Sequence, residues 1–379
     1  MVDGGAERQA QRLAEGLASH GRQVGVVTAR YPGLPAFERV GGVHVHRVWA
    51  LPKPRFFSAT FLPSLARFLF FQGSSYDIWH AHQAFYGAGV ALTIGSLQGR
   101  RCVVKAAASG PYGDLARLSR VWMGRWVKEA LRHADAVVTL NSQLTAELVQ
   151  AGIDSSRIRL IPNGVDCRHF SPPSMEERRQ ARASLGVPPD GALVAFAGRL
   201  AEDKGVDYLF DAWRTIEQRF GDEPWALAVA GAELHSNKYR ERGERELRRA
   251  TFLGKLPDVR PLLHAADVLV LPSLSEGLSN IVLEAMATGL PVLGTAIGGL
   301  RDQIDDGVTG FLVAPRDPDA LVDALSTMLR DPGLRAKMGA AARIRVEQRY
   351  SLLSMVDEYE DLYDDLIHSR VGRRPAAVP

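Results

Sequence analysis

The sequence predicts an α/β protein built from two doubly wound domains, and three observations support this prediction. Short apolar runs typical of buried parallel strands alternate with helical patterns along most of the 379 residues. A proline-rich, charged segment over 171–190 interrupts the alternation, which then starts again. The chain is also long for a single core. Parallel sheets bind ligands beyond the carboxyl ends of their strands, so we expect the two domains to face each other across a cleft.

The first half begins with a helix and continues with strands. Apolar residues from Ala6 to Leu17 recur with a helical period, and Gly21 ends that helix. Strands are predicted at "VGVVTA", "YDIWHAH", "CVVKAAA", "ADAVVTL" and "RIRLIPNGVD", the last of which ends in an Asn-Gly turn. We therefore assign residues 1–170 to the N-terminal domain and residues 171–190 to a linker with one or two helical turns.

The second half repeats the pattern and ends in a helix. Strands are predicted at "ALVAFAGRL", "WALAVAGA", "RATFLGKL", "ADVLVLPS" and "LPVLGTA", which places a C-terminal domain over 191–350. The last helix, 351–368, has one apolar face that includes Met355, Tyr359 and Leu362, so we expect it to pack back on the N-terminal domain. Residues 369–379 are predicted to form a disordered tail.

Composition excludes several classes of protein. The net charge is only +3, and no basic block with interleaved aromatic residues is present, so nucleic acid is not expected as a partner. Cys102 and Cys167 are isolated, which argues against a metal centre or a disulfide framework and fits a reducing compartment. The sequence has no signal-peptide pattern and no apolar run of about 18 residues, so we expect a cytoplasmic protein.

A phenylalanine-rich segment, Arg55 to Gly73, has two interpretations. Large aromatic residues usually lie in cores, which favours a core helix interrupted near Pro63. The alternative is an amphipathic surface element that contacts a lipid or an apolar acceptor. In that case residues 55–71 make a peripheral contact with the inner face of the membrane.

The motif "GRLAEDKG" predicts an anion site. Arg199 and Lys204 follow a strand on the loop that enters a helix, where free backbone N–H groups also favour negative charge. Gly198 allows close approach of the backbone to a ligand, and Arg provides bidentate contact with phosphate. The alternative is a solvated pair of surface cations. Gly4 and Gly5 precede the first helix and form a weaker candidate of the same kind, since no dinucleotide or P-loop fingerprint is present.

Two carboxylates, Glu276 and Glu284, occur in "SLSEGLSNIVLEAMATGLPVLGT". Glu276 follows a buried strand, and Glu284 lies within an otherwise apolar helix. Carboxylates accept hydrogen bonds from sugar or ribose hydroxyls. Their spacing also permits the acid and base of a glycoside hydrolase, or a structural role in which the helix dipole favours the first and the second is a surface residue.

Histidine and aspartate provide the remaining candidates. His80 and His82 alternate on one strand and so face one side, but no third metal ligand accompanies them. We expect one to be packed and hydrogen-bonded, and His82 to be a candidate catalytic residue. Asp317 and Asp319 form a "DPD" motif that is predicted to be a surface turn rather than a metal site.

The order of these motifs resembles the group 1 (family four) retaining glycosyltransferases of the two-domain GT-B architecture. The similarity covers Gly4 to Ile367 and includes "GGAE", "DIWHAH", "RLIPNGVDCRHF", "GRLAEDKGVDYLF", "FLGKL", "GVTGFLV" and the two-glutamate segment. It implies two Rossmann-like domains, the first binding the acceptor and the second a UDP-, GDP- or ADP-sugar. The acceptor is then a glycan, a lipid-linked molecule or a small molecule, and neither a metal ion nor a cofactor is required.

The resemblance also implies roles for individual residues. Arg199 and Lys204 correspond to the pair that neutralises the leaving diphosphate, Glu276 to the carboxylate on the donor sugar, and Glu284 to the carboxylate on the ribose. His82 lies near the acceptor side. The remaining donor contacts implied by the resemblance are Gly4, Gly5, Gly198, Lys255, Leu256, Gly277, Leu278, Ser279, Gly298 and Gly299.

Two departures from the family pattern keep other functions open. Only Met1 to Asp3 precede the GG loop, so the first strand of the N-terminal sheet is expected to be missing. Many members also carry a histidine after the strand "CVVKAAASG", where this chain has Lys105, Ser109 and Asp114. The alternatives are a sugar-nucleotide hydrolase or epimerase on the same fold, and an inactive relative that only binds the donor.

Overall fold

The computed structural model describes residues 4–233 and 237–369. These residues belong to two compact units, Met1–Gly164 with Leu352–Pro379 (unit 1) and Val165–Ser351 (unit 2). Both units contain parallel strands connected by helices, which confirms the predicted α/β class. The predicted tail lies outside the described residues, apart from Ser369.

Unit 1 begins with a helix and alternates between strands and helices. Its helices are α1 (Gly5–Ser19), α2 (Pro54–Gln72), α3 (Tyr86–Leu97), α4 (Asp114–Ser119), α5 (Gly124–Leu131) and α6 (Ser142–Gln150). Its strands are β1 (Gly25–Arg30), β2 (Phe37–Val40), β3 (Val43–Trp49), β4 (Ile78–Ala81), β5 (Arg101–Lys105), β6 (Ala136–Thr139) and β7 (Ile158–Leu160).

The strands of unit 1 form two sheets. One has the order β1-β3-β2, and the other has the parallel order β4-β5-β6-β7. β2 and β3 form an antiparallel hairpin whose turn, Gly41-Gly42, has φ values of +55° and +82°. Within the described residues no strand joins the two sheets, and α1 starts directly at Gly5.

Helix α2 corrects one expectation from the sequence, because it continues through Pro63 without a break. Pro63 has no amide hydrogen to donate to the carbonyl of Ala59, four residues earlier. Ala59 is exposed, so water can bind that carbonyl instead. The helix buries Leu65, Phe68 and Leu69 in the core of unit 1. Phe56, Phe70 and Phe71 of the segment remain exposed, so the core interpretation holds for only part of it.

Unit 2 contains a single six-stranded parallel sheet. Its helices are α7 (Met175–Leu185), α8 (Val206–Arg219), α9 (Lys238–Glu246), α10 (Arg260–Ala265), α11 (Asn280–Ala287), α12 (Gly298–Gln303), α13 (Pro318–Arg330) and α14 (Pro332–Arg349). Its strands are β8 (Ala192–Ala197), β9 (Trp225–Ala230), β10 (Ala250–Gly254), β11 (Val268–Leu271), β12 (Val292–Thr295) and β13 (Gly310–Val313). The order β10-β9-β8-β11-β12-β13 reverses direction between β8 and β11, which is where doubly wound sheets bind ligands.

The segment predicted as a linker instead contains the three-turn helix α7, which belongs to unit 2. Ser174 and Glu177 form a capping box at its start. Arg178 and Arg182 donate to the Asp267 carboxylate at 2.8 and 2.9 Å. These two arginines therefore connect α7 to the residue that directly precedes β11.

The C-terminal helix α15 (Leu352–His368) is part of unit 1 and packs against α1. Met355, Tyr359 and Leu362 are buried together with Leu13 and Leu17 of α1, as the apolar face predicted. No helix within the described ranges is both long and apolar enough to cross a bilayer.

Candidate functional site

The loop that follows β8 holds the two predicted cations of unit 2. β8 is buried along its whole length, so Gly198 and Arg199 emerge at the carboxyl edge of the sheet. Gly205 then adopts φ +68° at the start of α8, and a Cβ there would lie 1.9 Å from the carbonyl oxygen of Pro272. Only glycine allows this approach, which brings the β8 loop against the loop after β11.

Lys204 and Glu276, which are 72 positions apart, form an ion pair across these two loops. The Lys204 Nζ lies 2.6 Å from Glu276 Oε1, and the two side chains are 18% and 10% exposed. The hydroxyl of Ser273, which is fully buried, donates to the same oxygen at 2.8 Å. The carboxylate is therefore held in one orientation by a cation and a hydroxyl at the carboxyl edge of the sheet.

Arg199 has a different partner within its own loop. Its guanidinium contacts Asp203 Oδ2 at 2.8 Å, and its side chain is 52% exposed. The backbone of Asp203 also accepts a hydrogen bond from the Leu274 amide at 2.8 Å, which connects the β8 and β11 loops a second time. An exposed pair of this kind contributes little stability, so Arg199 can exchange Asp203 for an anionic ligand at low cost.

The segment after Glu276 is fixed by α12. Gly277, Leu278 and Ser279 are buried, and the backbone of Ser279 both donates to and accepts from the Gln303 side chain, at 2.9 and 2.8 Å. A Cβ on Gly299 would lie 1.8 Å from the Gly277 carbonyl oxygen, which explains the glycine at that position. Gln303 was not predicted, because a single polar residue after "GG" carries no distinctive signal.

The other predicted donor residues of unit 2 lie in or next to the segments that follow its strands, with Glu284 in the middle of α11. Glu284 is only 5% exposed, so the interpretation of this residue as an exposed helix carboxylate is wrong. Lys255 and Leu256 directly follow β10, and the lysine is exposed. Gly298 begins α12 directly after the loop that follows β12.

The predicted residues of unit 1 lie at the start of α1 and directly after β4. Gly4 caps the N-terminus of α1, and Gly5 is its first residue. His82 follows β4 and stacks on His80 with ring centroids 4.2 Å apart, while His80 Nδ1 lies 2.6 Å from the Tyr363 hydroxyl. Burial, and to a lesser degree the charge of Lys105, lower the pKa of His82 to about 3. The imidazole is thus neutral near pH 7, and its unprotonated nitrogen can accept a hydrogen bond.

Lys105 of β5 is a buried cation that the sequence did not single out as a site residue. It is 4% exposed, and its Nζ donates to Asn163 Oδ1 at 2.8 Å. The ammonium also lies 5.7 Å from the centre of the Tyr359 ring. Burial lowers the pKa of Lys105 to about 7, far below the ordinary value for lysine.

Candidate metal ligands are grouped elsewhere. Within residues 4–233 and 237–369, three such side chains cluster only at His20, Asp357 and Glu360, on the α1–α15 contact. Asp317 of the "DPD" motif caps α13 by accepting a hydrogen bond from the Ala320 amide at 2.9 Å. Pro318 and Asp319 are the first residues of α13, so the motif begins a helix and the prediction that it forms a turn is wrong.

Comparison with known families gives two matches that together span most of the chain. A model described as "Glycosyl transferases group 1" matches residues 191–331, and one described as "Glycosyl transferase 4-like domain" matches residues 4–164.

Relatives match over nearly the whole length. A D-inositol 3-phosphate glycosyltransferase of Pseudarthrobacter chlorophenolicus is 31% identical, covering 99% of this chain and 94% of the relative. An uncharacterized glycosyltransferase of Methanocaldococcus jannaschii is 29% identical, covering 96% and 94%.

Similar solved structures include a sucrose-phosphate synthase from Thermosynechococcus elongatus, with a TM-score of 0.79, 25% identity and coverage of 97% of this chain and 94% of that one. Anabaena HepE in complex with UDP and glucose has a TM-score of 0.78 and 20% identity, covering 96% of each chain. These similarities support the α/β fold of both units.

Proposed function

The chain belongs to the group 1 glycosyltransferase family, and from this premise we propose a specific reaction for it. It transfers a sugar from a nucleoside diphosphate donor to an acceptor hydroxyl, with retention of anomeric configuration and without a metal ion. The observation that carries this proposal is the Lys204–Glu276 pair at the carboxyl edge of the unit 2 sheet, with Arg199 and Gly205 on the same loop.

The two cations act on the leaving group. Breaking the sugar–phosphate bond places negative charge on the departing diphosphate and positive charge on the sugar. Lys204 and Arg199 stabilise that diphosphate, and the exposed Arg199 exchanges Asp203 for phosphate when the donor binds. A cation about 4 Å from a phosphate oxygen contributes about 4 kcal/mol at an effective dielectric constant of about 20.

Glu276 positions the donor sugar and does not act as a nucleophile. Its carboxylate is already oriented by Lys204 and Ser273, and in the donor complex it accepts hydrogen bonds from sugar hydroxyls. The acceptor attacks from the face that the diphosphate leaves, and an oxygen of the leaving phosphate takes the acceptor proton. The bond to the acceptor oxygen forms as the bond to phosphate breaks, so the configuration is retained.

The remaining predicted residues have the following roles in this proposal. Glu284 accepts hydrogen bonds from the ribose, and Lys255 and Leu256 contact the base. The backbone of Gly198, Gly277–Ser279, Gly298 and Gly299 approaches the sugar and phosphates. Gly4, Gly5 and His82 of unit 1 serve the donor phosphates and the acceptor, with the neutral imidazole as a hydrogen-bond acceptor.

Two named molecules are the first substrates to test. Anabaena HepE was solved with UDP and glucose, which makes UDP-glucose the first donor. Several relatives are D-inositol 3-phosphate glycosyltransferases, which makes inositol phosphate the first acceptor. Glycans and lipid-linked molecules are the further acceptor classes.

A panel of UDP-, GDP- and ADP-sugars, incubated with and without acceptor and with and without EDTA, tests the reaction. Transfer that requires the acceptor, persists in EDTA and retains the anomeric configuration by NMR is the expected result. Donor breakdown without acceptor points to a sugar-nucleotide hydrolase or epimerase. Donor binding without turnover points to an inactive relative, and both outcomes contradict the proposal.

A further inference from the structure

Unit 1 exposes four large aromatic side chains around one groove, which we call the aromatic face. They are Phe37 of β2, Trp49 of β3, and Phe70 and Phe71 at the end of α2, and they are 50%, 58%, 49% and 67% exposed. The sequence singled out only residues 55–71. The β2–β3 hairpin adds Phe37 and Trp49, which lie outside that segment and are brought beside α2 by the fold of unit 1.

The groove lies between the β2–β3 hairpin and α2 and has a volume of about 470 Å³. Phe37, Trp49 and Phe71 line it together with His46 and Arg67. The rings of Phe37 and His46 are 5.0 Å apart, and those of Phe70 and Phe71 are 5.2 Å apart. Phe37, Trp49 and Phe71 therefore share one groove, and Phe70 adjoins it through its contact with Phe71.

The floor of the groove is rigid. Phe68 is buried in the core of unit 1, and its ring lies 5.0 Å from that of His46. Leu65 and Leu69 of the same helix are also buried in that core. The exposed rings therefore belong to a helix packed on the core and to a paired hairpin. They can contact a partner without local unfolding.

The charge around the aromatic face is strongly positive. Residues 37–72 contain five Lys or Arg residues and one acid, Glu38, giving a formal charge of +4, which exceeds the +3 of the whole chain. Arg47 is buried and pairs with Glu38, so these two charges compensate each other. The four cations that remain are exposed: Arg39, Lys53, Arg55 and Arg67.

We propose that the aromatic face docks unit 1 onto an anionic phospholipid bilayer. Aromatic side chains partition into the interface between headgroups and acyl chains, and Lys and Arg beside them contact lipid phosphates. Exposed apolar patches of this kind mark interaction sites, and this one combines aromatic rings with exposed cations, of which Arg67 lies 5.5 Å from the centre of the Phe71 ring. The alternative occupant, a second copy of the chain, is one of the outcomes of the test.

The proposal predicts how binding depends on lipid charge. Each cation near an anionic membrane surface contributes about five-fold in affinity. We expect the wild-type chain to bind vesicles of phosphatidylcholine and phosphatidylglycerol in equal parts at least about ten-fold more tightly than phosphatidylcholine alone, with loss of binding at high salt. Donor and acceptor are absent from this experiment, so its outcome is independent of the proposed reaction.

Vesicle flotation of the full chain tests the surface itself. The double variant Phe70→Ser/Phe71→Ser should bind anionic vesicles about ten-fold more weakly or worse, and Arg67→Gln should weaken binding by several-fold. The matched control is Ile344→Ser, which removes a 54% exposed apolar side chain of α14 in unit 2 and should bind as the wild type does. Unchanged thermal unfolding shows that each variant is folded.

Three results would overturn the proposal. Wild-type chain that stays unbound with anionic vesicles excludes a bilayer. Equal loss of binding in Ile344→Ser shows that the contact is not specific to the aromatic face. A dimer that dissociates in the double variant, without vesicle binding, shows that a second copy of the chain covers this face instead.

Discussion

Replacing Lys204 by methionine tests the assignment of the diphosphate site. Methionine preserves most of the length of the side chain and removes only the charge and its hydrogen bonds. In the wild-type structure Lys204 Nζ lies 2.6 Å from Glu276 Oε1, and the two side chains are 18% and 10% exposed. The substitution therefore leaves Glu276 with the Ser273 hydroxyl as its remaining hydrogen-bond donor among the contacts described above.

The expected loss follows from the charge that develops in the transition state. A cation about 4 Å from a phosphate oxygen contributes about 4 kcal/mol at an effective dielectric constant of about 20. Removing one preorganised donor from a developing anion typically lowers kcat by about 10² to 10³-fold. We thus expect the kcat of Lys204→Met to fall by at least about 10²-fold, with a smaller change in KM for the donor.

Release of the nucleoside diphosphate, measured at several donor concentrations, separates kcat from KM. Lys337→Met is the control, because Lys337 is exposed on α14 of the same unit and should keep wild-type kinetics. Wild-type kcat in a folded Lys204→Met would refute the assignment of the diphosphate to this loop. An equal loss in Lys337→Met would show that the effect is not local.

Three further substitutions test other contacts. Glu284→Gln should raise the donor KM by about ten-fold or more with less effect on kcat, because a ribose contact is made equally in ground and transition states. Gly205→Ala should lower the Tm by several degrees, since φ at this position is +68° and the Cβ would lie 1.9 Å from a carbonyl oxygen. The control Gly186→Ala, at φ +63° with open space around it, should lower the Tm less. Lys105→Met should raise stability at pH 7 by about 2 kcal/mol. The pKa near 7 reflects a charge that burial disfavours, and loss of the hydrogen bond from Lys105 to Asn163 offsets part of the gain.

The sign for Lys105 follows from proton linkage. Its pKa is lower in the folded chain, about 7, than the ordinary value of 10.5, so the unfolded chain binds more protons between these values. Wild-type stability should therefore rise with pH from about 7 toward 10.5, and Lys105→Met should lack that rise. Identical pH dependence in thermal unfolding of the two proteins would contradict the burial argument. An unchanged donor KM in Glu284→Gln would contradict the proposed ribose contact. Equal losses of Tm in Gly205→Ala and Gly186→Ala would contradict the proposed clash at Gly205.

The sequence predicted the unit 2 sheet because its strands are continuous apolar runs. "ALVAFA" and "VLVL" can be placed by local pattern alone, and the loops that follow them carry the site residues. The hairpin of β2 and β3 was missed because "FERV" and "VHVHRVW" are short and interrupted by charged or titratable residues. Its Gly41-Gly42 turn is the one local signal that was available.

Contacts between distant residues are what the sequence could not provide. Gln303 reaches Ser279 across 24 positions, and Lys105 reaches Asn163 across 58. Helix α7 looked like a linker because prolines flank it, and its Arg182 finds Asp267 only 85 positions later. Each of these polar groups is satisfied by a partner that no local pattern identifies.

A crystal structure of the chain with UDP-glucose, or with another donor that it turns over, tests the proposed site most directly. We predict that Lys204 Nζ and the Arg199 guanidinium lie within hydrogen-bond distance of the diphosphate, Glu276 contacts a sugar hydroxyl, and Glu284 contacts the ribose. A diphosphate bound away from Lys204 and Arg199, or a sugar without contact to Glu276, would contradict the proposed donor site.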